Sequence, residues 1–284
     1  MLKHRVVCGG KPDVCQVWFE NWTRQAADNP ECIDKIQKAL QHNQNLPTNN
    51  YSIDMFPTDK DKVMVQLWKA HGHALADAFH TVLDTRPFTL THGDLRSDNI
   101  FRKVKGNGPA FKFIDWQTYA AASPGCDMTQ LLDGSIAPLE GMDHLDEILD
   151  EYIRTLHAAN SATRAYTRDM LKEDFAMSTT MLFIGVCVPF GPLLESLPDG
   201  HPLWVLFDQV WPRFLKCTAY LDCAELTIRT AKQLGLEVDP NLPAYVEPPR
   251  KVKLMFKKAA NAVIASNRIS SLLGAAMLAD SALN

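Results

Sequence analysis

Apolar positions recur at helical spacing along most of this chain. Residues 13–43 read as two short helices, broken at Asp28-Asn29-Pro30. Residues 44–59 are polar and rich in turn formers, and read as a loop. A strong amphipathic helix is expected over 60–84. Val63, Leu67, Ala70, Ala74, Ala78 and Val82 recur on one side of it, reinforced by Leu75, Phe79 and Leu83. Arg86-Pro87 ends that run, because a proline disfavours helix in the residue before it.

From Phe88 the pattern changes. Phe88-Thr-Leu-Thr is a short extended run leading into His92-Gly93-Asp94. Residues 99–102 and 111–114 are two β-type runs, with Lys-Gly-Asn-Gly-Pro between them as a turn. They read as a small hairpin. Helical spacing then resumes. Asp127 is expected to cap a helix reaching Ala137, further helices are expected over 142–159 and 165–187, and 202–236 reads as one long helix or two, with Pro212 as a kink or a start. The fold class is mostly α with a small β-hairpin, α+β. Three segments are expected: residues 1–59 as a helical N-terminal segment, 60–240 as the body, and 241–284 as a Pro-rich linker with a basic tail.

Composition narrows the function classes. The chain has 284 residues, 46% of them hydrophobic and 22% charged, as in an ordinary globular protein. A net charge of −4 argues against binding nucleic acid through bulk charge. The tail is the exception. Residues 245–284 hold six Lys/Arg against two acidic residues. Val252, Met255, Phe256, Ala259 and Val263 can line an apolar stripe beside the basic one, so peripheral contact of 250–284 with an anionic membrane is one expectation. The seven cysteines include no C-x-x-C pair, which points to reduced thiols and a cytoplasmic setting. The uncharged-looking stretch Phe175–Leu194 reads as a buried core helix ending near Pro189 rather than a membrane span. No signal peptide is legible at the N-terminus.

The candidate chemistry lies in the extended region. Asp94 and Asn99 are five residues apart in a loop leaving an extended run, and Asp115 follows the second hairpin strand. A strand out and a strand back return the chain to its start, so Asp115 is expected beside that loop. Carboxylates and an amide around one small volume suit Mg²⁺, a hard cation that takes oxygen ligands. They also leave Asp94 to accept a proton from an attacking hydroxyl.

His92-Gly93-Asp94-Leu95-Arg96-Ser97-Asp98-Asn99, followed by Ile114-Asp115-Trp116-Gln117, resembles the aminoglycoside phosphotransferase, choline kinase and ecdysteroid-kinase-like group of the protein-kinase-like fold. Cys126-Asp127-Met128-Thr129-Gln130-Leu131-Leu132 resembles a helix start of the same group. The resemblance implies an ATP- and Mg²⁺-dependent O-phosphotransferase acting on a small-molecule hydroxyl. It makes Asp94 the catalytic base, Asn99 and Asp115 the Mg²⁺ ligands, His92 a structural brace, and Asp127 a supporting cap. It covers only the C-terminal lobe of that fold. The residues ahead of His92 read as helical and carry three glycines, Gly9, Gly10 and Gly72, with no recognisable strand lysine or phosphate loop. The N-terminal nucleotide lobe is therefore expected to be missing, through truncation or in a lobe-less protein. Transfer is then expected to be weak, because positioning supplies most of the catalysis. The alternative is a catalytically impaired pseudokinase acting as a binding or scaffold module. A metal-dependent phosphohydrolase built on His92, Asp94, Asp98 and Asp115 is a third reading, opposed by the lack of a further His cluster.

Other patterns have simpler explanations. His73, Asp77 and His80 share one face of the 60–84 helix and read as a polar face rather than a metal site. Asp143, Asp146, Glu147, Asp150 and Glu151 read as a solvated acidic face, with a weaker reading as a contact for a cationic substrate. Trp204, Phe207, Trp211 and Phe214 read as an aromatic core stripe.

Overall fold

The computed structural model describes residues 18–44, 58–102, 111–134, 144–198 and 201–237. The Lys-Gly-Asn-Gly-Pro turn, the 45–57 loop, the Pro-rich linker and the basic tail lie outside them, as does the membrane-contact expectation for 250–284.

Helices α1 (Trp18–Asp28) and α2 (Glu31–Gln44) are separated at Asn29-Pro30, where the sequence places the break. Both pack into the same core as the later helices, through Ala26, Cys32, Ile33 and Ile36. Helix α3 (Asp59–Leu83) starts in a capping box: Thr58 Oγ1 accepts from the Asp61 backbone N–H, and Asp61 accepts from the Thr58 N–H at 3.0 Å. Its apolar stripe matches the one expected at Leu67, Leu75 and Phe79 and departs from it elsewhere. Met64, Val65, Leu67, Trp68, Leu75, Ala76 and Phe79 are buried, whereas Ala70, Ala74 and Val82 are exposed. His71 has non-helical φ/ψ of −136° and 24°, and this kink resets the phase of the face behind it. Gly72, next to the kink, lets α1 approach closely; a β-carbon there would lie 2.7 Å from Ala27 Cβ.

His73 and Asp77 are taken up by α1. His73 Nε2 lies 2.8 Å from Asp28 Oδ1, and Arg24 pairs with Asp77 at 2.9 Å. The polar face of α3 thus pins two helices together.

Strands β1 (Thr89–Thr91), β2 (Ile100–Arg102) and β3 (Phe111–Phe113) fall where the extended runs do. β2 and β3 pair antiparallel, Ile100 opposite Phe113 and Arg102 opposite Phe111. A fourth strand, β4 (Ala120–Ala122), pairs antiparallel with β1 and was not expected. Among the described residues the strands form two two-stranded antiparallel sheets.

The rest is helical: α4 (Gly125–Gly134), α5 (Leu145–Ala159), α6 (Arg168–Gly185), α7 (Cys187–Ser196), α8 (Pro202–Tyr220) and α9 (Cys223–Gln233). The expected 165–187 helix breaks at Val186, and α7 then runs on through Pro189 and Pro192 instead of ending near Pro189. Of the two readings of 202–236, one helix or two, the structure has two. Pro202 opens α8 at its first turn, where a missing N–H costs nothing, and the break comes at Asp222, φ 51°. Pro212 lies inside α8 and neither starts nor ends it.

The span Arg168–Ser196 is long and apolar enough to cross a membrane by length and composition, yet 72% of its apolar window is buried in the protein. Phe175, Met177, Met181 and Phe183 form the centre of the core. The aromatic stripe of α8 packs on it: Trp211 lies 5.3 Å from Phe183 and stacks on Phe207 at 5.8 Å. The acidic face of α5 holds Arg168 at the start of α6, through Asp146 and through Asp150 at 2.8 Å. The described cysteines are buried and in no disulfide, and burial raises the Cys32 thiol to about 11.

Candidate active site

The β1–β4 ladder brings the chain into the His92-Gly93-Asp94 corner. Every backbone polar group of His92 and Gly93 finds a partner there. The Asp127 carboxylate accepts from the His92 N–H at 2.7 Å and from the Gly93 N–H at 2.9 Å. Thr118 Oγ1 donates to the His92 carbonyl at 3.2 Å, and Gln130 Nε2 donates to the Gly93 carbonyl at 2.8 Å. Gly93 has φ +81°, a region that favours glycine.

Asp127 was expected to cap a helix, and the geometry corrects this. It lies inside the first turn of α4, and the Ser123 hydroxyl meets the Gly125 N–H instead, at 3.2 Å. The Asp127 side chain turns back to the His92–Gly93 corner. Burial pushes its carboxyl above the usual carboxylate range, and the N–H groups of His92 and Gly93 pull it part of the way back. Asp127→Ala leaves two N–H groups without an acceptor. A loss of about 2–6 kcal/mol in urea unfolding is expected, at roughly 1–3 kcal/mol per orphaned group. Asp127→Asn, which keeps one acceptor, should lose less.

The His92 imidazole braces the corner from below. Its Nε2 donates to the Ile114 carbonyl at 2.7 Å, and its Nδ1 accepts from the Asp94 N–H at 3.3 Å. A carbonyl can only accept and an amide N–H can only donate, so the ring proton sits on Nε2. Trp116 covers the ring, centroid to centroid 4.6 Å.

Asp94 is oriented by two donors. Arg96 Nε lies 3.0 Å from its Oδ1, and Asn99 Nδ2 lies 3.3 Å from its Oδ2. Asn99 is buried, and its Nδ2 also donates to the Asp94 carbonyl at 2.9 Å. With the amide nitrogen turned to Asp94, Asn99 Oδ1 takes no hydrogen bond among the described residues. The Ile114 N–H donates to the Asn99 carbonyl at 3.0 Å, which sets Asp115 next to Asn99 across the base of the hairpin. Asp115 has φ 63° and ψ 52°, rare for a residue other than glycine. It is exposed, and its carboxylate takes no hydrogen bond or ion pair among the described residues. Strained backbone of this kind gathers at functional sites.

An amide oxygen and a carboxylate are donor types that Mg²⁺ takes, with water and phosphate oxygens in its other positions. Among the described residues, no group of three or more His, Cys, Asp or Glu side chains could hold a metal ion.

Three contributors escaped the sequence reading. Arg96 carries a signal, a cation two residues after Asp94. Gln130 carries a weaker one, three residues after Asp127 on the same helix. Thr118 carries none, because its contact depends on the β1–β4 pairing.

A family model described as "Uncharacterized oxidoreductase dhs-27" matches residues 69–200, a span that contains the whole of this site. No curated protein and no solved structure matches the chain.

Proposed function

We propose that this site is one half of a Mg²⁺-dependent O-phosphotransfer centre, with ATP as donor and a small-molecule hydroxyl as acceptor. The observation that carries the reading is the Asp94–Asn99–Asp115 arrangement. One carboxylate is held by two donors beside an amide oxygen and a second, uncommitted carboxylate. In this reading Asn99 and Asp115 hold Mg²⁺, which would neutralise charge on the phosphates. Asp94 orients the acceptor hydroxyl and takes its proton as the hydroxyl oxygen bonds to phosphorus and the bond to the leaving phosphate breaks. His92 and Asp127 fix the loop. ATP, Mg²⁺ and free thiols together favour a cytoplasmic setting.

Arg96 is the cation that the described residues place against Asp94, and it already engages that carboxylate. This observation favours a second reading, a module that binds nucleotide or a partner with little turnover. The two share the Mg²⁺ site and differ in transfer. The word oxidoreductase in the matching family's description gains no support from the strands, since the described ones pair antiparallel and form no parallel-sheet crevice for a dinucleotide.

The test is thermal unfolding with ATP, with and without Mg²⁺. Stabilisation that needs Mg²⁺ and disappears in Asp115→Ala is expected, since a ligand at about 100 times its Kd adds about 2.7 kcal/mol. An identical shift in wild type and Asp115→Ala would sink the metal assignment. Phosphate transfer to a panel of hydroxyl acceptors then separates enzyme from binding module. Slow transfer abolished by Asp94→Ala is expected.

A further inference from the structure

A groove away from the candidate site lies where α3, α6 and α9 meet, with a volume of about 130 Å³. Phe79, Met177 and Leu226 form its floor, and all three are buried. Val82 and Leu234 stand at its mouth, 37% and 45% exposed. A dry apolar cavity of about 150 Å³ binds benzene, so this groove suits an apolar group of about that size. One side of it is polar, and the hydrogen-bonding capacity there is lopsided. Both oxygens of Glu173 are committed to arginines: Oε1 accepts from Arg229 Nη2 at 3.0 Å and Oε2 from Arg86 Nη2 at 2.6 Å. The Arg229 side chain is 54% exposed, and its Nε and Nη1 take no partner among the described residues. The Thr230 hydroxyl and the Gln233 amide also line the groove and are likewise uncommitted there. The carbonyls of Thr230, Ala231 and Lys232, near the end of α9, are already taken by the N–H groups of Leu234, Gly235 and Leu236. Spare donors and an accessible cation thus converge over an apolar floor, the combination that marks a small-molecule site.

We propose that this groove binds a short aliphatic carboxylate, with its tail on Phe79, Met177 and Leu226 and its head on Arg229. Charge selects the head. An ammonium would meet Arg229 as a like charge, and the Glu173 carboxylate that could receive it is engaged by two guanidinium groups. A carboxylate takes a charge-assisted hydrogen bond from Arg229, roughly twice as strong as a neutral one. The Thr230 hydroxyl and the Gln233 amide can donate to its second oxygen. Size selects the tail, since a chain much longer than a benzene ring would run out of the groove into water. Asp94, Asn99 and Asp115 take no part in this site, so it stands or falls apart from phosphotransfer.

Titration of the full chain with millimolar hexanoate is expected to give a saturable shift of the Met177 methyl resonance, in protein with isotope-labelled methionine methyls and with that resonance assigned through Met177→Leu. Hexanol, the same tail without the charge, should bind more weakly, and hexylammonium should not bind. Arg229→Gln should weaken hexanoate at least about tenfold and leave hexanol unchanged, whereas Arg229→Lys, which keeps the charge, should lose less. If Arg229→Gln folds poorly, the order of the three ligands on the wild-type chain decides. An unmoved Met177 resonance, equal hexanoate affinity in wild type and Arg229→Gln, or hexylammonium binding as tightly as hexanoate would each overturn the proposal.

Discussion

Replacing Arg86 with methionine is expected to lower the free energy of unfolding by about 3–5 kcal/mol, because it strands a buried charge. Arg86 follows α3 and precedes β1. Its Nη2 lies 2.6 Å from Glu173 and its Nε 3.3 Å from Asp174 Oδ1. The Asp174 side chain is fully buried, and its other oxygen accepts from Tyr166 Oη at 2.6 Å and Ser123 Oγ at 3.5 Å. Burial pushes the Asp174 carboxyl above its usual range, and Tyr166 and Arg86 pull it down. A carboxyl raised in the folded state binds protons there that the unfolded chain has released. Between the unfolded value, about 3.9, and the raised folded one, stability therefore rises as pH falls. Without Arg86 the folded value climbs further. The deficit of Arg86→Met should accordingly be largest near neutral pH and shrink on acidification toward pH about 4.5. Adding Asp174→Asn should restore much of the loss by removing the stranded charge. Equal deficits at both pH values, measured by urea unfolding, would argue against this account. The network also matters for the candidate site, since Arg86 leads into β1 and Ser123 follows β4, the two strands that carry the His92–Gly93 corner.

Where local spacing decides the structure, the sequence was readable. The helices α1, α2, α3, α5, α6 and α8 follow from apolar recurrence, and the 99–114 hairpin from its extended runs and turn. Asp94, Asn99 and Asp115 could be brought together because a hairpin returns the chain to its start. Contacts decided at long range were not readable. Ala120-Ala121-Ala122 has no β-branched or aromatic residue and becomes a strand because Thr91 and its neighbours offer it an edge. Asp127 looked like a cap because acidic residues favour helix starts. Its carboxylate serves a loop 34 residues earlier, and the cap oxygen comes from Ser123. The expected α3 stripe fails at Ala74 and Val82 because nothing local announces the kink at His71, beside the close approach of α1 at Gly72.

Gly93→Ala is expected to remove the Mg²⁺-dependent stabilisation by ATP altogether and to cost at least about 3 kcal/mol of stability. Two penalties combine. At φ +81° a side chain meets the left-handed cost of about 1–2 kcal/mol. The added β-carbon would also lie 2.2 Å from the Thr118 carbonyl oxygen, a distance no real contact tolerates, and the obstacle is backbone rather than a flexible side chain. Either residue 93 or residue 118 must move. Moving the first breaks the bonds from Asp127 and Gln130, and moving the second breaks the Thr118 bond to His92. Both routes displace Asp94 from Arg96 and Asn99. Gly235→Ala separates the two penalties. Gly235 has φ +69° but nothing within 4 Å of an added β-carbon, so it should show the conformational cost alone, about 1 kcal/mol, with nucleotide binding unchanged. If Gly93→Ala behaves like Gly235→Ala in both measurements, the His92–Gly93 corner is not what holds Asp94, Asn99 and Asp115 in register.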